Sequence, residues 1–133
     1  MRAGGLAAML RRMLPVRCLI VDDSPLFGEE ARGLLEQEGV LVVGIAASGD
    51  EAVRLAETVL PDLALVDISL GKESGFDVAR RLMDGASPAP PRVIFISTYD
   101  EREFSSRIES SRALGFIAKA ELSAARIRRL LGD

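Results

Sequence analysis

The sequence predicts a doubly wound α/β domain, in which a parallel sheet of five strands carries helices on both faces. Three observations predict it. Five short apolar runs rich in β-formers alternate with segments whose apolar residues recur at helical spacing. The runs are continuously apolar rather than alternating, as strands covered on both faces are. The polar residues that stand out lie at the carboxyl ends of these runs, where open α/β sheets bind their ligands. A chain of 133 residues fits one such domain and can bury a core without disulfide or metal staples.

The elements follow in order. Strand-like runs fall at 16–21, 40–46, 63–66, 93–96 and 116–118. After the first, Ser24-Pro25 reads as an N-cap followed by a first-turn proline. Phe27, Ala31, Leu34 and Leu35 then form one helical face, and Gly39 ends the helix. Ala52, Ala56 and Val59 mark the face of the second helix, and Phe76, Ala79 and Met83 that of the third. Pro61-Asp62 precedes the third strand, and the proline-rich stretch 88–91 separates the third helix from the fourth strand. A fourth helix is predicted over 102–112 with only Phe104 and Ile108 among serines and charges, and the last shows Ile127, Leu130 and Leu131. There are no repeats, low-complexity segments or interdomain linkers.

Composition narrows the chemistry. Histidine is absent, which removes an imidazole base, a Ser-His-Asp triad and any histidine-bound metal from this chain. The lone Cys18 sits in an apolar run, so an internal disulfide or cysteine zinc site is excluded and a reducing cytoplasm is expected. The net charge of −3 offers no basic footprint for direct nucleic-acid binding. The longest wholly apolar-or-glycine run, residues 40–47, is far short of the roughly 18 needed to cross a membrane. Residues 1–17 contain four arginines and no acid, which leaves −7 on the remainder. This opening is acid-free and Arg-bearing like a transit peptide, but it has arginines on both sides of its apolar stretch and no clear cleavage site. Residues 1–15 are expected to be a poorly ordered extension or a start placed too early, with Met13 the real one. The domain is expected over 16–133.

Asp22 and Asp23 follow the first run, Asp67 the third, Ser97 and Thr98 the fourth, and Lys119 the fifth. Taken singly, each has an ordinary explanation. Asp-Asp-Ser-Pro suits a helix cap, Asp67 suits a turn before Gly71 and Gly75, and Ser97 and Lys119 suit any surface. Together, at four strand ends, they converge on one crevice if strands one, three, four and five are neighbours. Like charges about 4 Å apart repel by roughly 4 kcal/mol at an effective dielectric of 20, so three carboxylates require a cation. Mg²⁺, or Mn²⁺ in its place, suits one or two carboxylates with waters or phosphate oxygens completing its octahedron. With lysine as a second positive charge, the site fits a dianionic phosphoryl group and an aspartate nucleophile. There is no GxGxxG, and Gly71-Lys72 lacks the flanking residues of a P-loop.

Over roughly residues 16–131 the chain resembles the receiver domains of bacterial two-component response regulators. The segments that carry the resemblance are LIVDDSP (19–25), LALVDISL (63–70), GKESG (71–75), VIFISTYDE (93–101) and GFIAKAEL (115–122). The spacings of 44 residues from Asp23 to Asp67, 30 to Ser97 and 22 to Lys119 are similar to the family's. The wording around Gly115–Leu122 is most similar to NarL/FixJ-type receivers. The resemblance implies a flavodoxin-like (βα)5 fold and Asp67 as phosphoacceptor for a sensor histidine kinase or phosphotransfer protein. It implies metal ligation by Asp23, Asp67 and the Ser69 carbonyl, with Asp22 acting through a coordinated water. Ser97 and Lys119 would bind phosphoryl oxygens, Phe116 would be the switch aromatic that follows Ser97, and Thr98 and Tyr99 would border access to the phosphoryl group. Output would leave through the fourth helix, fifth strand and fifth helix, to a downstream protein or a second copy, with no nucleic acid or membrane bound directly.

Three departures from the family pattern carry expectations. Ala120 stands where a cis-proline usually follows the lysine. Because alanine favours trans by about 2.5–4 kcal/mol, either the Lys119 loop is displaced or the fold holds a cis non-proline bond. Gly71 replaces a frequent proline and should loosen the loop after Asp67. Thr98 replaces a small residue and is expected to narrow the approach to Asp67. The fifth helix ends the chain at Asp133, consistent with a single-domain regulator or with the receiver of a longer protein. Two alternatives stand beside this reading: a phosphorylation-independent interaction module, and a haloacid-dehalogenase-like phosphatase, whose DxD pattern Asp22-Asp23-Ser24 does not match.

Overall fold

The computed structural model describes residues 5, 6, 9, 10, 13–85 and 88–132. Its strands β1 (Arg17–Val21), β2 (Leu41–Ala46), β3 (Leu63–Asp67), β4 (Arg92–Ser97) and β5 (Gly115–Ala118) form one parallel sheet in the order β2-β1-β3-β4-β5. The helices α1 (Pro25–Gln37), α2 (Gly49–Val59), α3 (Gly75–Met83) and α4 (Ser105–Ser110) fill the crossovers, and α5 (Ala124–Leu131) follows β5. This is the doubly wound, flavodoxin-like order predicted, and it places β1, β3, β4 and β5 side by side.

Side-chain alternation along each strand builds two cores. Leu19, Val21, Ala64, Val66, Val93 and Phe95 face one way and pack against α2, α3 and α4. Cys18, Ile20, Leu63, Leu65, Ile94 and Ile96 face the other and pack against α1 and α5. Both faces of the central strands are buried, which is why their runs are apolar without interruption. Burial also pushes the Cys18 thiol up to about 12, so it is inert packing and not a nucleophile.

Helix starts follow their caps. The Ser24, Ser48, Ser74 and Ser123 hydroxyls accept from backbone N–H groups in the first turns of α1, α2, α3 and α5. The fourth helix lacks such a cap and differs from expectation. Where 102–112 was predicted, a 3-10 turn at Glu101–Glu103 precedes a six-residue α4. Phe104 interrupts the two at φ −125°, and the Ser110 and Ser111 hydroxyls donate back to carbonyls of the final turn. Ile108 is buried and Phe104 packs beside it, as their spacing implies. Leu34 departs from the predicted face of α1: it is 40% exposed, while Ala31 and Leu35 point inward.

The segment after Asp67, expected to be loosened by Gly71, instead folds as a small antiparallel ribbon pairing Ser69 with Ser74 and Leu70 with Glu73. Gly71 turns it at φ +59°, a conformation proline cannot adopt. The ribbon closes through Gly75, whose N–H donates to the Ile68 carbonyl at 2.7 Å. No peptide bond among the described residues is cis, so Lys119–Ala120 is trans. The expectation for residues 1–15 falls largely outside the described residues, since 1–4, 7, 8, 11 and 12 are not among them; nor is Asp133.

A β-carbon at Gly75 would lie 2.0 Å from the Asp67 carbonyl oxygen and 2.7 Å from the Ile68 Cα. Both neighbours are backbone and cannot step aside. Gly75→Ala should therefore cost more than about 2 kcal/mol in urea unfolding, well beyond a helix-surface substitution.

Candidate functional site

The carboxyl edge of the sheet assembles the site because four of its five strands, β1, β3, β4 and β5, deliver polar residues there. Asp22 directly follows β1, Asp67 ends β3, Ser97 ends β4 and Lys119 directly follows β5. Asp67 pairs in register with Ile96, one residue before Ser97, and Ser97 pairs with Ala118, one residue before Lys119. Asp22, Asp67 and Ser97 are buried, whereas Asp23 is exposed.

Lys119 holds the centre. Its Nζ lies 2.6 Å from Asp22 Oδ2 and 2.9 Å from Asp67 Oδ2, and 4.4 Å from the centroid of the Phe27 ring. A displaced lysine loop and a cis bond were the two expectations raised by Ala120, and neither holds. The 3-10 turn Lys119–Glu121 carries the lysine into the crevice on a trans bond. The Phe27 contact was not legible beforehand, because nothing in a helix-start phenylalanine marks it as the neighbour of a lysine 92 residues away.

The remaining oxygen of each buried carboxylate is held by backbone. Ser24 N–H donates to Asp22 Oδ1 at 2.9 Å, and Ser69 N–H to Asp67 Oδ1 at 3.0 Å. Burial disfavours the Asp67 carboxylate and raises its pKa; the Lys119 and Ser69 hydrogen bonds oppose this, and the Asp22 charge adds to it. Burial works to lower the Lys119 pKa, but its bonds to Asp22 and Asp67 prevail and raise it, so the ammonium persists through neutral pH.

Asp22, Asp23 and Asp67 each offer an oxygen within 4.8 Å of the others. Two buried carboxylates and one exposed one form an all-oxygen donor set open to solvent on one side, which fits a hard divalent cation that keeps waters. The turn of the ribbon lies over this set: a β-carbon on Gly71 would be 3.4 Å from Asp23 Oδ2.

The other expected residues sit around this centre. Ser97 Oγ accepts the Tyr99 N–H at 2.9 Å. Thr98 and Tyr99 are exposed beyond the end of β4, with the Tyr99 ring edge-on to Phe104 at 6.4 Å. Phe116 lies opposite Phe95 on the sheet and is half-buried against the core beneath α4.

A model of the response regulator receiver domain matches residues 18–131. Among curated proteins, the chain is 39% identical over 103 residues to the positive alginate biosynthesis regulatory protein of Pseudomonas aeruginosa, covering 76% of this chain and 40% of that protein. It is 30% identical over 106 residues to the transcriptional regulatory protein PdtaR of Mycobacterium tuberculosis, covering 80% and 50%. The chain thus spans about half the length, or less, of these relatives. Among solved structures it superposes on the signal receiver domain of the response regulator NarL from Mycobacterium tuberculosis with a TM-score of 0.75 at 32% identity, covering 90% of this chain and 99% of that one. A parallel sheet in this order, with acids and a lysine gathered at its carboxyl edge, defines a receiver-type α/β domain. This chain belongs to the response regulator receiver family of two-component systems. The haloacid-dehalogenase-like alternative falls with that assignment.

Because the folded state disfavours ionised Asp67, this group favours folding most below the ordinary carboxylate range, and the benefit is lost as pH rises through its raised value. Asp67→Asn removes that liability. In metal-free buffer the variant's melting temperature should gain on wild type as pH rises from the ordinary carboxylate range, and the gain should then level off; a gap that shrinks with rising pH would contradict the sign.

Proposed function

We propose that this chain is a working receiver, with the unit spanning residues 16–133 and residues 1–15 an extension outside it. The observation that carries the reading is Lys119 bridging two buried aspartates beside an exposed third. Asp67 Oδ attacks the phosphorus of a phosphohistidine supplied by a kinase or phosphotransfer protein. The P–O bond forms as the P–N bond breaks, and the imidazole leaves with the donor. The absence of histidine here is consistent with a donor on a partner.

Asp22, Asp23, Asp67 and the Ser69 carbonyl would hold Mg²⁺ or Mn²⁺, which supplies charge neutralisation on the transferring phosphoryl oxygens. Lys119 exchanges its bond to Asp67 Oδ2 for one to a phosphoryl oxygen while keeping Asp22. Ser97 turns its hydroxyl to another, which withdraws the acceptor from Tyr99 N–H. Phe116 moves into the space this opens beside α4, and the α4-β5-α5 surface changes for a downstream protein or a second copy. Thr98, β-branched and stiff, narrows access to the phosphoryl group, with Tyr99 beside it. The reading places the protein in the cytoplasm, where its donors are. No helix among the described residues is long and apolar enough to cross a membrane.

Incubation with Mg²⁺ and acetyl phosphate should give a stoichiometric, base-labile adduct on Asp67, absent from Asp67→Asn and lost with EDTA. Mass spectrometry of the intact protein checks it. No adduct on a folded wild type would instead mark a phosphorylation-independent interaction module.

Ser97→Ala should still accept the phosphoryl group but uncouple it from the output face. Hydrogen exchange over residues 98–122 should change on phosphorylation in wild type and not in the variant. Identical patterns in phosphorylated and unphosphorylated wild type would refute the switch.

A further inference from the structure

The ribbon after Asp67 carries the Ser69 carbonyl and lays Gly71 against Asp23, so its position sets part of the proposed metal site. Its own pairing is only two residues on each side. Among the described residues, its side-chain hydrogen bonds to other elements join it to its chain neighbours β3 and α3, through Asp67 and Ser74, and to one distant element: Glu73 Oε1 accepts the Gly49 N–H at 3.0 Å. Gly49 is the first residue of α2, where unpaired N–H groups and the helix dipole favour a carboxylate. Ser48 Oγ accepts from Glu51 N–H instead and leaves the Gly49 N–H to Glu73.

The junction is close-packed. A β-carbon on Gly49 would come within 2.6 Å of Glu73 Oε2, 2.9 Å of Arg81 and 2.9 Å of Val78. Arg81 is fixed there by its 2.8 Å ion pair with Asp50 of α2. The charge and the small residue are placed for each other: the glycine at the start of α2 leaves the Glu73 carboxylate room at its amide beside Val78 of α3. The two anchored ends of the ribbon differ. Gly75 fixes it to Ile68, the residue directly after Asp67, and Glu73 fixes it to a helix outside the site.

We infer that Glu73 is a positioning residue for the metal site, clamping the ribbon to the N-terminus of α2 so that the Ser69 carbonyl and Gly71 stay in place beside Asp67 and Asp23. The inference rests on the metal reading above. Glu73 touches neither phosphoryl group nor metal, and its effect is on how much of the unbound protein already has the ribbon in the binding position.

Mg²⁺ titration of the unphosphorylated full chain, followed by amide chemical shifts of residues 68–71, tests this without any phosphorylation step. Glu73→Ala should weaken Mg²⁺ about 3- to 10-fold, at or below the usual cost of losing an outer support of a metal ligand. Glu73→Gln keeps an acceptor for the Gly49 N–H and should bind near wild type, with all three metal-free melting temperatures within a few degrees. Faster exchange of the Gly49 amide in Glu73→Ala should accompany the loss. If Glu73→Ala titrates like a responsive wild type, or if Glu73→Gln is as weak as Glu73→Ala, the clamp is not what positions the ribbon. If wild type itself gives no Mg²⁺ response, the metal reading fails and takes this inference with it.

Discussion

Buried carboxylates cannot share a crevice unless a cation lies between them, and here Lys119 supplies it. From the end of β5 its ammonium reaches past β4 to bridge Asp22 and Asp67 at the ends of the adjacent strands β1 and β3, with the Phe27 ring beside it. The strand order matters because only β2-β1-β3-β4-β5 brings the ends of β1, β3 and β5 to the flanks of one lysine. The two cores matter because they hold those strands in register while polar groups collect at one edge. On the proposed function, the same ammonium is also the charge that a phosphoryl group would meet.

The backbone does the rest of the electrostatic work. Each buried aspartate has one oxygen on the lysine and the other on an amide two residues downstream, Ser24 or Ser69. Both carboxylates are thereby oriented before any ligand arrives, and little is left to reorganise. Of the three acids only Asp23 faces solvent, which leaves the oxygen donor set one open side.

How much of this could be read from the sequence depended on how local each feature's cause is. Asp22, Asp67, Ser97 and Lys119 were legible because strand ends are marked by where apolar runs stop, and parallel sheets bring those ends together. The serine caps and the buried faces of α2, α3 and α5 were legible for the same reason. The short α4 was not, since Phe104 and Ile108 keep helical spacing even though a 3-10 turn and back-bonding serines cut the helix to one and a half turns. Leu34 misled because an apolar residue beside Leu35 suits either side of a helix boundary. Gly71 was read as slack, when its positive φ is what lets the ribbon turn. The contact between Glu73 and Gly49 was invisible, because it joins the ribbon to the first residue of α2 across 24 residues by one hydrogen bond.

The chain contains one tyrosine and no tryptophan. That tyrosine, Tyr99, is 54% exposed, gives its amide to Ser97 Oγ and sets its ring edge-on to Phe104 ahead of α4. Near-ultraviolet emission from the whole protein therefore comes from a single ring, two residues past the serine at the edge of the crevice. Excited where phenylalanine does not absorb, the molecule carries its own optical reporter with no label added, on a residue whose amide is bonded to the Ser97 hydroxyl.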